Sequence, residues 1–308
     1  MSPAPDRPDP VADHRLLATS AAARFLPRDV VAVRGPDALE WLQGQLSQDL
    51  AGLADGGSAE SLLLSPQGKL VAYLRVGRLR AEELVLDVEG GFGPAVLERL
   101  ARFKLRVRAE VEPLAWACLA VRGPRAAQWA TRVAGARLAA QVDWPGFGGV
   151  DLLGPQLAPP EGLPMASEPA WEAARIEAGQ PRMGAELDEG VIPAEAGLVG
   201  RAVSLDKGCY TGQELVARLE ARGSKVARHL RGVVVEPGAL PPRGAELSRQ
   251  GRVVGRLTSV APSPRLGRPV GLAFVHRSLE PPSEVELAWS QGRARAQVEE
   301  LPLAGRTL

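Results

Sequence analysis

The stretch Val31-Ala-Val-Arg-Gly-Pro-Asp-Ala-Leu-Glu-Trp41 returns as Leu119-Ala-Val-Arg-Gly-Pro-Arg-Ala-Ala-Gln-Trp129. Each copy opens on an apolar run of β character and turns at Gly-Pro into apolar residues at helical spacing. Glycine tolerates the tight turn, and proline, with φ already fixed, suits the first turn of a helix. The tryptophan then falls where the helix would face its sheet. Two strand–Gly-Pro–helix units in one chain point to a duplicated module.

Around these units, strands and helices mix without strict βαβ alternation, which favours an α+β class over a doubly wound sheet. Ala59–Leu64 and Lys69–Val76 flank Ser65-Pro-Gln-Gly68, whose turn chemistry makes them a hairpin. Leu84–Val88 reads as a strand, Pro94–Arg102 as a helix and Lys104–Val111 as another strand. Residues 141–169 are rich in Gly and Pro and carry loops around 144–149 and 157–164, and Trp171–Ala178 reads as a short helix stopped by Gly179 and Pro181. From about Leu230 the pattern changes to short strands alone: Leu230–Val235, Ala245–Ser248, Arg252–Thr258, Val270–Val275, Glu284–Trp289 and Arg293–Val298. Gln250-Gly251 and Gln291-Gly292 stand at hairpin tips, and the whole describes a small β-barrel or sandwich. The expected organisation is a disordered arm over residues 1–14, an α+β region over 15–229, and a β-domain over 230–308. Within the α+β region the repeat units span about 29–114 and 117–229 and are free to interleave.

Composition narrows the function. With 308 residues and a formal net charge of +1, the chain has ample core and no overall field to draw in nucleic acid or an anionic membrane. The opening residues alternate Pro with Asp and Arg, unlike a secretory signal or transit peptide, and no apolar run spans a bilayer, so a cytoplasmic setting is expected. Two cysteines, Cys118 and Cys209, and three scattered histidines build neither a disulfide framework nor a four-ligand metal site.

The densest polar constellation runs from Arg175 to Arg222, interrupted regularly by Ile192, Pro193, Leu198 and Val199. Polar groups on such a partly buried path suit ligand contact, although an elaborate structural crossover would read the same way. Glu195, after Val-Ile-Pro-Ala, is an acceptor-only group suited to a ligand with adjacent N–H donors, or equally to a helix start or an arginine. Cys209 sits between glycines ahead of a helix that begins near Gln213, two residues from Lys207. That placement favours a lowered thiol pKa and a reactive thiolate, with Lys207 tuning it. Cys118, inside the apolar run Trp116–Val121, fits a buried structural cysteine.

Lys207-Gly-Cys-Tyr-Thr-Gly-Gln-Glu214 resembles the K-G-C-Y-x-G-Q-E signature of YgfZ-type proteins. Arg175-Ile-Glu-Ala-Gly179, Gly184-Ala-Glu-Leu-Asp-Glu-Gly190 and Pro193-Ala-Glu-Ala-Gly-Leu198 resemble the run shared by the glycine-cleavage T-protein superfamily. Trp41-Leu-Gln-Gly-Gln-Leu-Ser-Gln-Asp-Leu50 and Leu64-Ser-Pro-Gln-Gly-Lys69 are similar to further motifs of that family, so the resemblance covers the chain from about residue 15. It implies a cloverleaf of two related α+β lobes and a C-terminal β-barrel around a central site for tetrahydrofolate or a derivative. By position it assigns Glu195 to the pterin, with Arg175 and Glu177 shaping the pocket and Arg222 aligned with a folate-contacting arginine.

The chain departs from the T-protein pattern at one place. Where an aminomethyltransferase sets an Asp after the glycine turn, Gly68-Lys-Leu-Val-Ala-Tyr-Leu74 presents Ala72 and Tyr73. Without that carboxylate, proton transfer at the folate nitrogen has no evident agent. The resemblance thus implies a folate-binding accessory protein for assembly or repair of iron–sulfur clusters, including those of tRNA-modifying enzymes, with iron–sulfur proteins as clients. Two alternatives remain: a folate-dependent one-carbon transferase or demethylase taking its acid from Asp49 or Asp206, and a non-catalytic scaffold with a vestigial pocket.

Overall fold

The computed structural model describes residues 9–221, 223 and 225–305, so Arg222 lies outside the described residues. The chain begins with α1 (Pro10–Thr19), β1 (Ala22–Leu26), β2 (Arg28–Arg34) and α2 (Ala38–Gln45). It continues through β3 (Ser58–Leu64), β4 (Leu70–Arg80), β5 (Glu83–Glu89), α3 (Gly93–Arg102) and β6 (Glu110–Leu114). The second unit supplies β7 (Ala117–Arg122), α4 (Ala126–Ala130), β8 (Leu138–Val142), β9 (Gly149–Gly154) and α5 (Glu168–Glu177). A crossover with a short 3-10 turn at Pro193–Ala196, α6 (Val199–Ala202) and α7 (Gln213–Ala221) leads to β10 (Arg228–Val235). The remaining strands are β11 (Glu246–Arg249), β12 (Arg252–Ser263), β13 (Arg268–His276), β14 (Ser283–Trp289) and β15 (Gly292–Glu299).

Among the described residues these strands make a five-stranded sheet in the order β3-β4-β5-β2-β6, a four-stranded sheet β1-β7-β9-β8, and a closed barrel β10-β13-β12-β11-β14-β15. The class is α+β, with two sheet lobes and a β-barrel. The duplicated stretch is β2 with α2 in one lobe and β7 with α4 in the other, and its glycines have one physical task. Gly35 and Gly123 hold φ of +138° and +117°, and a Cβ on them would stand 2.3 Å from the Arg108 carbonyl and 2.4 Å from the Ser20 carbonyl. Only glycine lets a neighbouring backbone cross so close at that φ. Gly123→Ala is therefore expected to lower stability by about 1–3 kcal/mol, read by urea unfolding. A change within the spread of surface substitutions would contradict this account of the turn.

Each lobe buries one face of its helices. Trp41, Leu42, Val96 and Leu100 of α2 and α3 pack on Val31, Leu74, Val76 and Leu86. Leu17 of α1 and Trp171 and Ala174 of α5 cover Ala120 and Phe147 of the second lobe. Where the two sheets meet, Val30 and Val85 of one face Cys118, Leu138 and Leu153 of the other. Cys118 is thus a core residue, and burial pushes its thiol pKa well up.

Two segments differ from the expectation, and one strand lies where none was expected. The arm expected over residues 1–14 is helical from Pro10, because the Asp9 carboxylate caps the amides of Val11 and Ala12 at 3.0 and 3.2 Å and His14 and Leu17 find buried places. The strand expected over Lys104–Val111 starts only at Glu110, after Arg106 takes a φ of +59°. In the Gly- and Pro-rich stretch 141–169, between the two expected loops, Gly149–Gly154 is β9, paired on both sides, with Val150 and Leu152 buried. Glycine richness there marks close backbone approach rather than a break.

Candidate functional site

β4 alternates strictly, so its two faces separate neighbouring side chains. Ala72 is fully buried in the lobe core, whereas Tyr73 and Arg75 point the other way, toward the second lobe. They line a cavity of about 260 Å³ between the two sheets, α5 and residues 180–183. Trp144 and Trp171 form an aromatic wall, with ring centres 5.6 Å apart.

Below the cavity lies a chain of buried charges that joins the lobes. Arg75 reaches Asp87 in its own sheet and Asp151 of the other lobe at 2.9 Å. Asp151 also receives Arg122 at 2.6 Å, and Asp87 receives Arg28 at 2.6 Å. Burial alone would raise the Asp151 pKa, but the Arg122 and Arg75 guanidiniums hold it below the usual carboxylate range. The opposite balance holds at Glu89, where burial outweighs Arg28 at 3.2 Å and raises the pKa. Over the arginines sit the indoles, Arg122 lying 4.6 Å from the Trp144 ring and 5.2 Å from that of Trp171.

Most hydrogen-bonding capacity here is used internally. Glu60 takes Arg201 with both oxygens at 2.6 Å, and Glu172 takes Arg175 with both at 2.7 and 2.9 Å. Three buried donors lack a partner of acceptable geometry: the Tyr73 hydroxyl and the Nε–H groups of Arg75 and Arg122. Glu60 lies close enough to Tyr73 to affect its titration, yet burial is the main cause that pushes the phenol far above its ordinary pKa. A buried donor without an acceptor is costly in a folded chain, so such a group in a cavity marks a place for a ligand.

The other expected site residues fall into separate places. Arg175 lines the cavity but is buried and works as a knot, donating to Glu172, to the Gln180 carbonyl at 2.5 Å, to Glu186 at 3.0 Å and to Ser259 of the barrel at 2.6 Å. Glu177 has no exposed surface and ties three parts of the chain together. His14 of α1 lies 3.0 Å away, Ser263 donates at 2.6 Å and Arg265 at 2.7 Å. Burial would raise the Glu177 pKa, but those partners hold it below the ordinary value. Glu195 is not among the cavity-lining residues. It is buried on the 3-10 turn, facing Arg228 at 3.2 Å and the Ile192 amide at 3.4 Å.

Cys209 is exposed, on a loop away from the cavity lining. Lys207, expected to tune that thiol, makes its hydrogen bonds to backbone carbonyls. Its ammonium donates to the carbonyls of Gln43, Leu46 and Gln48 at 2.7, 2.8 and 2.9 Å, which uses all three hydrogens. Burial lowers its pKa to about 8 against the pull of Asp49, so it stays charged at neutral pH. The Thr211 amide also bonds the Gly44 carbonyl, and Gly212 packs against Ser65. The segments 41–50, 64–69 and 207–214, noted separately in the sequence, therefore converge into one platform beneath the thiol. Removing the central clamp in Lys207→Ala is expected to cost about 2–3 kcal/mol by leaving carbonyls unpaired, checked by urea unfolding.

A second, shallower groove of about 630 Å³ lies on the outer face of the barrel. Its arginines (Arg249, Arg268, Arg293, Arg295) and glutamates (Glu236, Glu284, Glu286) are solvent-exposed and mixed in sign, so the unpaired buried donors favour the inter-lobe cavity as the candidate site. Among the described residues no cluster of His, Cys, Asp and Glu suits a metal, and no helix is long and apolar enough to cross a membrane.

Sequence reading missed the arginine–aspartate chain, although Arg75, Asp87 and Asp151 each interrupt an otherwise apolar strand. A charge in such a place must be paired across the core. That was the available signal.

Two related α+β lobes closed by a small β-barrel, with a polar cavity where the lobes meet, define an aminomethyltransferase-type fold. The solved glycine cleavage system aminomethyltransferase T from Bartonella henselae has this fold, with a TM-score of 0.79 over 96% of this chain and 89% of that one at 22% identity. Residues 29–147 match the GCVT N-terminal domain, and residues 228–304 the glycine cleavage T-protein C-terminal barrel domain. An aminomethyltransferase of Streptomyces coelicolor is 32% identical over 286 residues, covering 80% of this chain and 75% of the relative. An uncharacterized protein of Haemophilus influenzae is 29% identical over 201 residues, covering 63% of this chain and 67% of the relative. The chain belongs to the glycine cleavage T-protein family.

Proposed function

We propose that this chain binds tetrahydrofolate or a derivative in the inter-lobe cavity. In this reading it supports assembly or repair of iron–sulfur clusters, as the YgfZ-type resemblance implies, with Cys209 as its reactive group. The observation that carries the choice against aminomethyl transfer is Tyr73 on the cavity face of β4. With its pKa pushed up by burial, the phenol is neutral at physiological pH and is no general base.

The cavity residues suit a folate. Trp144 and Trp171 offer flat apolar surfaces for a pterin, and the unpaired donors offer hydrogen bonds to its acceptors. When bound, the folate would supply a one-carbon carrier. The chain's own part is to hold it against the indoles and exclude water. Cys209 is exposed on a platform clamped by Lys207, which supports a reading in which it meets a client protein.

Relatives named aminomethyltransferases keep the one-carbon reading in view. Asp49 and Asp206, the acids it would need, are both exposed and outside the cavity lining, which counts against it. Two assays decide. Supplied with an aminomethyl donor and tetrahydrofolate, the purified protein is expected to show no turnover, and turnover would favour the transferase. In a strain carrying Cys209→Ala, the activity of iron–sulfur enzymes is expected to fall, and an unaltered level would count against the accessory role.

A further inference from the structure

Residues 99–108, Arg-Leu-Ala-Arg-Phe-Lys-Leu-Arg-Val-Arg, carry five cations and no acid in a chain whose formal charge is only +1. The segment leaves α3 and runs unpaired until β6 begins at Glu110. Both of its ends are tied down: the Trp41 indole donates to the Phe103 carbonyl at 3.3 Å, and Arg108 pairs with Asp37 at 2.7 Å. Between them Leu105 is 83% exposed, and Phe103 is exposed beside it. Among the described residues Arg102, Lys104 and Arg106 have no ion-pair partner, and the flanking Glu98 and Glu110 are exposed and pair with none of them. Arg99 lies under the Phe103 ring at 3.8 Å and is buried, yet no carboxylate answers it. It donates to the Gln45 side chain at 3.3 Å and the Leu64 carbonyl at 3.2 Å, and its Nε–H has no partner. Burial and the charge of Arg102 lower its pKa. A buried guanidinium is ordinarily paired, so this cluster is short of a counter-anion.

The cluster neighbours the thiol loop. Gln45 and Leu64, which hold Arg99, belong to the two stretches that also hold residues 207–212. Lys207 bonds the Gln43 and Leu46 carbonyls, Thr211 bonds the Gly44 carbonyl, and Gly212 packs against Leu64 and Ser65. We propose that Arg102, Lys104 and Arg106, with Phe103 and Leu105, dock an acidic protein surface and bring it to Cys209. The inference rests on the reading in which Cys209 meets a client protein, and adds the chemistry of that client. Two observations favour a protein over a nucleic acid. Leu105, the most exposed large apolar side chain among the described residues, offers an aliphatic contact that fits an apolar pocket and does not stack on a base. Asp206 in the thiol loop and Asp49, close enough to act on Lys207, are exposed and interrupt the positive field. A discrete acidic patch tolerates that interruption better than a continuous phosphate backbone does.

The test is the rate at which Cys209 of the full chain exchanges with a peptide disulfide. The probe is a short peptide of Glu and Leu whose one cysteine carries thionitrobenzoate, compared with the same peptide bearing Gln in place of Glu. The Cys209 thiolate attacks the peptide sulfur, the protein–peptide disulfide forms, and coloured thionitrobenzoate leaves with the electron pair. Buried Cys118 stays silent, and Cys209→Ala gives the baseline. Steering predicts that the acidic peptide reacts about tenfold faster than the neutral one at low salt, an advantage that high salt removes. With Arg102→Glu and Arg106→Glu together, the advantage is expected to vanish while the neutral peptide keeps its rate, which also shows that the variant is folded. Arg106→Gly removes one charge at a φ of +59° that glycine adopts freely, and is expected to lose part of the advantage. Equal rates for the two peptides with the wild type overturn the proposal, as does an advantage that survives both variants. Protection of Cys209 by single-stranded RNA at a lower concentration than by the disulfide-free acidic peptide also overturns it, in favour of a nucleic acid. In cells, iron–sulfur enzyme activity is expected to fall in the charge-reversed strain as in Cys209→Ala. A fall with Cys209→Ala alone overturns the docking surface and leaves the client reading standing, whereas no fall in either strain removes both.

Discussion

Asp151→Ala is expected to lower the free energy of unfolding by about 3–5 kcal/mol, among the largest effects of any single substitution in this chain. Asp151 answers two buried guanidiniums, Arg122 at 2.6 Å and Arg75 at 2.9 Å, and Arg75 belongs to the other lobe. Truncation leaves Arg122 without its carboxylate and Arg75 with Asp87 alone, both guanidiniums being largely buried. The loss arises from stranded charge more than from the attraction removed. Replacing the three charged residues together by apolar ones of similar size should therefore cost much less. The same carboxyl fixes a pH dependence. Its folded pKa is held below the ordinary value, so its contribution is present above the unfolded carboxylate pKa of about 3.9 and is lost as pH falls below it. Urea unfolding at neutral pH and at about pH 3 should show a smaller difference between wild type and Asp151→Ala in acid. A difference that grows in acid would contradict this.

Glu177→Ala is expected to be of similar size, about 3–5 kcal/mol, but to act at another joint. Glu177 is the meeting point of α1 through His14, of α5, and of the barrel through Ser263 and Arg265. Its removal should loosen the amino-terminal helix from the body, since His14 is the buried polar residue of α1. Limited proteolysis should then cut near residues 10–20 in the variant and not in the wild type. Intact α1 with a drop under about 1 kcal/mol would place the joint elsewhere.

The lobes and barrel were legible in the sequence because their signals are local. Gly-Pro after an apolar run marks both turns, and Gln250-Gly251 and Gln291-Gly292 mark barrel hairpins. Where extended backbone depends on a distant partner, local signals failed. β9 hides in a glycine-rich stretch, and its strand character comes from β7 and β8 on either side. The Phe103–Ala109 stretch carries apolar alternation without a partner until Glu110 pairs with Arg34.

For the site, residue types were readable and directions were not. Arg175 and Glu177 stand in a family motif, yet their partners, Ser259, Ser263 and Arg265, lie more than eighty residues further on in the barrel. Lys207 sits two residues from Cys209 in sequence but turns its ammonium to the end of α2. The meaning of Tyr73 for Ala72's missing acid needed the strand alternation and the position of the second lobe.

The central claim is that a folate occupies the cavity beside Trp144 and Trp171. Calorimetric titration of tetrahydrofolate into the wild type and into Trp144→Ala tests it most directly. The account predicts saturable binding to the wild type, weakened about tenfold in the variant by loss of stacking on the indole. No binding to the wild type would contradict it, as would affinity that survives Trp144→Ala but is lost in Glu195→Gln.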